Sequence, residues 1–70
     1  MFTICKRTLN EEGNVADTAM TSVAFNNKGD AVSYLNKITQ FLRPHAGYEG
    51  EKGYWWVRHN GVVTRLTIQS

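Results

Sequence analysis

Seventy residues, 41% of them hydrophobic and 20% charged, make one globular domain near the lower size limit for a core without metals or disulfides, and exclude a disordered chain. Eight Lys and Arg against six Asp and Glu leave a net charge of +2, too slight on its own to indicate a nucleic-acid partner. Cys5 is the only cysteine, which excludes an intrachain disulfide and favours a reducing, cytoplasmic setting.

The N-terminal segment Met-Phe-Thr-Ile-Cys-Lys-Arg-Thr holds no apolar run long enough for a signal peptide, and the Met1 start reads as that of a complete small protein. No stretch approaches the roughly 20 apolar residues that span a bilayer, so no membrane partner is expected. Residues 2–9 alternate as a strand, with Phe2 and Ile4 on one face and Thr3, Cys5 and Arg7 on the other. Asn10-Glu11-Glu12-Gly13-Asn14 has the composition of a turn. Residues 18–25 then form a second strand, antiparallel to the first, with Val23 and Phe25 expected to point inward.

The firmest element is a helix. Asn27 caps it and Asp30 places a carboxylate in its first turn. Ala31, Leu35, Ile38 and Leu42 recur at three- and four-residue spacing, flanked by Val32, Tyr34 and Phe41. Ser33, Asn36, Lys37, Thr39 and Gln40 take the opposite side. Pro44 restrains Arg43, so the helix should stop near Leu42. Residues 46–53 follow as a flexible, glycine-spaced connection.

Asn60-Gly61 between two β-rich runs is a strong hairpin signal, because a type I′ turn requires positive φ twice. Such a turn pairs His59 with Val62, Trp56 with Arg65 and Trp55 with Leu66. Successive strand residues point to opposite faces, so Trp55 and Trp56 cannot share a core. Trp55, Val57, Val62, Leu66 and Ile68 form the core side. Tyr54, Trp56, Arg58, Val63, Arg65 and Thr67 form the other, which Cys5 and Arg7 join if the first strand belongs to the same sheet. The expected fold is α+β, in the order β-β-α-β-β: a small antiparallel sheet of three or four strands over residues 1–70, with one amphipathic helix on one face and the other face open.

Sites of chemistry are sparse. Cys5, His45 and His59 lack metal-ligand spacing, so no metal is expected. Gly47, Gly50 and Gly53 run from helix into strand, the reverse of a phosphate loop, with Glu49 and Glu51 among them. No activated nucleophile or acid–base pair stands out, so the chain is expected to be no enzyme, with no cofactor and no small-molecule substrate.

The open face is the informative feature. Trp56 opposite Arg65 suggests a cation–π pair, and Trp, Tyr and Arg dominate binding hot spots. The expected function is a protein-binding module of inhibitor or adaptor type, using Tyr54, Trp56, Arg58, Arg65 and Arg7. Self-association through the same face is one form of it. The size suits the small phage-encoded proteins that block host machinery. The alternative is single-stranded nucleic acid, with bases stacked on the same aromatic residues.

Overall fold

The computed structural model describes all 70 residues. Its elements are β1 (Phe2–Leu9), β2 (Val15–Phe25), α1 (Lys28–Phe41), β3 (Ala46–Glu49), β4 (Tyr54–His59) and β5 (Val62–Gln69). The five strands form one antiparallel sheet in the order β2-β1-β5-β4-β3, with α1 packed on one face. The last strand lies at the centre. It joins the N-terminal hairpin to the C-terminal one by pairing Thr3 with Gln69 through to Leu9 with Val63.

Asn60 and Gly61 take φ of 51° and 78°, the two consecutive positive values a type I′ turn demands. The register that follows pairs His59 with Val62, Trp56 with Arg65 and Trp55 with Leu66, as the turn implies. Asn27 caps α1 reciprocally. Its Oδ1 accepts from the Asp30 amide at 2.8 Å, and its Nδ2 donates to the Asp30 carboxylate at 3.1 Å.

The core lies between α1 and the Trp55 side of the sheet. Ile4, Leu35, Trp55 and Leu66 are its buried centre, with Phe25, Val32, Val57 and Ile68 packed around them. Trp55 is only 6% exposed. Its indole Nε1 donates to Asn36 Oδ1 at 2.8 Å, so the polar handle of a buried tryptophan is satisfied. Tyr48 from β3 closes the far side, its ring centroid 4.5 Å from that of Trp55.

Four local readings differ from the pattern in the sequence. Residues 46–49 form a fifth strand rather than a loose connection, because β4 offers them a free edge to pair with. Val23 is exposed: the β1–β2 register shifts between Thr3 and Cys5, and this bulge breaks the alternation. Phe25 does turn inward, against Tyr34 at 5.3 Å. Thr39 is buried where a polar side was expected, since its hydroxyl donates to the Leu35 carbonyl at 2.9 Å. Leu42, the C-cap of α1, and Val62, the first residue of β5, both placed with the core by the pattern, are exposed, each lying at the end of its element.

Trp55→Ala should lower stability by about 3–5 kcal/mol, as truncation of a buried aromatic does. Urea unfolding followed by far-UV circular dichroism measures this; a loss below about 1 kcal/mol would contradict the assignment of Trp55 to the core centre.

Candidate functional site

Opposite α1, the sheet presents a face with no layer packed on it. The pairings place its side chains in rows. Arg7 on β1 stands opposite Arg65 on β5, Arg65 opposite Trp56 on β4, and Trp56 opposite Gly47 on β3. The adjoining row carries Cys5, Thr67, Tyr54 and Glu49, and the row on the other side carries Leu9, Val63 and Arg58. Arg7, Tyr54, Trp56, Arg58 and Arg65, the residues singled out from the sequence, therefore share this face.

The aromatic–arginine pairs are not the directly opposed ones. Arg65 lies over Tyr54, its guanidinium carbon 4.7 Å from the ring centroid, a diagonal cross-strand contact. Arg58, two residues along β4 on the same face, sits over Trp56 at 5.7 Å. Each such pair contributes about 0.5–1 kcal/mol at an exposed site. Trp56 faces Arg65 in register, yet its indole extends the other way, over Gly47. A Cβ built at Gly47 would stand 3.0 Å from Cζ2 and 3.1 Å from Cε2 of that ring. Glycine here leaves the space that lets a large ring lie flat on the neighbouring strand. This role of Gly47 was hidden in the sequence; a glycine at the position facing an outward tryptophan was the only signal.

Arg7 and Arg65 are like charges placed directly across a strand pair, normally a destabilising arrangement. Arg7 Nη1 donates to Thr67 Oγ1 at 3.2 Å. Arg65 leans on Tyr54, so both guanidinium groups tilt toward the same row. Glu49, in that row at the sheet edge, accepts from the Glu51 amide at 3.4 Å and so is engaged with its own turn. The open face thus gathers three arginines and two aromatic rings. Cys5 is 2% exposed despite facing this side, lying between Met20 and Thr67 in its row, while Leu9 is buried beside Val63 and Val15.

No group of three or more His, Cys, Asp or Glu side chains is gathered to hold a metal ion. No helix is long and apolar enough to cross a membrane. The chain matches no protein-family model, and no curated protein or solved structure matches it significantly.

Gly47→Val should push the Trp56 ring off β3 and cost about 1–3 kcal/mol, the usual penalty for overpacking. The loss should appear in urea unfolding together with an altered tryptophan emission; wild-type values for both would show that the ring does not depend on Gly47. Trp56→Ala, which removes only cross-strand and cation–π contacts, should cost about 1–2 kcal/mol by the same measurement.

Proposed function

We propose that the chain is a non-enzymatic protein-binding module of inhibitor or adaptor type, docking through its open sheet face onto an acidic patch of a partner protein. One observation carries this reading: each aromatic ring on the face has an arginine guanidinium at cation–π distance, Arg65 over Tyr54 and Arg58 over Trp56. An arginine held against a ring keeps its N–H donors, which can meet a carboxylate in the two-pronged geometry that makes such pairs strong. The rings act as shelves that hold the charges in place and reduce the entropy lost when a partner arrives. Trp56 and Tyr54 also supply rigid apolar area at the centre of the patch, as hot spots do.

The same observation weighs against single-stranded nucleic acid. Base stacking needs free ring faces, and here a base would first have to displace Arg58 or Arg65. The small phage-encoded inhibitors remain the protein class that best suits a domain of this size and surface.

The test is affinity capture from the native host, with and without nuclease, followed by binding of the captured partner to purified variants. A protein partner should survive nuclease treatment. Arg58→Ala with Arg65→Ala should weaken it at least tenfold, a change of about 1.4 kcal/mol, while far-UV circular dichroism shows an intact fold. Lysine at both positions should recover only part of the affinity, because the planar fork is lost. Loss of the partner on nuclease treatment, with affinity falling steeply as salt is added, would instead support nucleic acid.

A further inference from the structure

Asn60 and Gly61 set the register of the β4–β5 hairpin, and they are also the only asparagine–glycine step in the chain. An asparagine side-chain amide is open to attack by the backbone nitrogen of the residue that follows it. The attack is fastest before glycine, which has no Cβ to crowd that nitrogen. It also needs an asparagine side chain free to turn toward the backbone, and a following amide that no hydrogen bond holds.

Asparagine occurs at positions 10, 14, 26, 27, 36 and 60. Asn10, Asn27 and Asn36 have their side-chain oxygens occupied, by the Glu12 and Asn14 amides, by the Asp30 amide and by the Trp55 indole. Asn14 and Asn26 are followed by Val15 and Asn27, whose side chains crowd the attacking nitrogen. Only Asn60 meets all three conditions. Its side chain makes no hydrogen bond. The Gly61 amide takes no part in the turn and loop hydrogen bonds, since a two-residue turn closes between the residues that flank it. A Cβ built at Gly61 would have nothing within 4 Å. Both residues are exposed at the hairpin tip, and Asn60 borders an open groove of about 360 Å³ with His45, Arg58 and His59, so water reaches it.

We propose that Asn60 is a site of spontaneous deamidation, and that the isoaspartate it yields unties the hairpin. The Gly61 nitrogen bonds to Asn60 Cγ, the Cγ–Nδ2 bond breaks, and ammonia leaves with the proton that the Gly61 nitrogen gave up. Water then opens the five-membered imide. Cleavage at Cγ restores a normal backbone with aspartate at this position. Cleavage at the main-chain carbonyl leaves Gly61 joined through Cγ, which is isoaspartate. Nothing is oxidised or reduced, and water is the only co-reactant.

The two products act differently on the fold. Asp-Gly also favours a type I′ turn, so aspartate should keep the register. Isoaspartate carries the main chain through Cβ and Cγ, one atom longer than before. The consecutive φ values of 51° and 78° then no longer close a two-residue turn. His59 and Val62 lose the constraint that sets them opposite each other, and with it go the pairs behind them back to Trp55 and Leu66. Either product also adds a negative charge to the groove that Arg58 lines.

Prolonged incubation of the purified, folded protein at physiological pH and temperature tests the proposal. Peptide mass mapping follows each asparagine, enzymatic methylation of the free α-carboxylate detects isoaspartate, and urea unfolding reads stability. Asn60 should be the first asparagine to exchange its amide for an acid, and isoaspartate should accumulate there. The isoaspartate form should unfold at lower urea than fresh protein. Asn60→Asp, with the same charge on a normal backbone, should unfold close to wild type. Gly61→Ala should slow the reaction at least about tenfold, equivalent to about 1.4 kcal/mol on its barrier. Alanine at a φ of 78° strains the turn, so Asn60→Gly is the second control: it suits the turn, has no amide to lose, and should hold its urea midpoint throughout. An Asn60 that stays intact or reacts after another asparagine, a Gly61→Ala protein that reacts as fast as wild type, or isoaspartate at this position with an unchanged urea midpoint would each overturn the proposal.

Discussion

The turn at Asn60–Gly61 fixes the pairing of β4 with β5, and with it the side on which every residue of that hairpin sits. Two successive positive φ values are affordable only because an asparagine and a glycine occupy them. From that register Trp55 is committed to the helix side and Trp56 to the open side. A slip of one residue would turn β4 over relative to β5, exchanging the two tryptophans and putting Arg58 where Val57 now packs. The cost of burying an unpaired guanidinium group disfavours that alternative.

One helix against five strands is the second constraint. It is enough to bury Ile4, Leu35, Trp55 and Leu66, but it leaves the opposite face of the sheet without a covering layer and Tyr34, Phe41 and Leu42 of α1 in water. The two uncovered regions differ in chemistry. The open face concentrates arginines held at cation–π distance over aromatic rings. The helix side instead leaves Tyr34, Phe41 and Leu42 of α1 exposed.

Much of this was legible in the sequence, where local chemistry decides the outcome. The Asn27 cap, the hairpin register and the separation of the two tryptophans all follow from backbone preferences acting within a few residues. The elements that escaped depend on distant partners. Ala46-Gly47-Tyr48-Glu49 has little intrinsic strand preference and becomes β3 only because β4 presents an edge and Trp56 a ring to lie over Gly47. α1 carries two overlapping apolar stripes, and its spacing alone could not say that Leu35 would meet the sheet while Phe41 would meet water. Arg65 settles on Tyr54 rather than on Trp56 because the indole extends toward the open space over Gly47, a choice made by the third strand.

The division of labour between the adjacent tryptophans is the claim on which the rest stands, and fluorescence quenching reads it directly. In Trp56→Phe the remaining Trp55 should emit at short wavelength and resist acrylamide, in keeping with its burial and its bond to Asn36. In Trp55→Phe the remaining Trp56 should emit at longer wavelength and be quenched readily. Equal quenching of the two, or the reverse order, would contradict the assignment of one tryptophan to the core and the other to the open face.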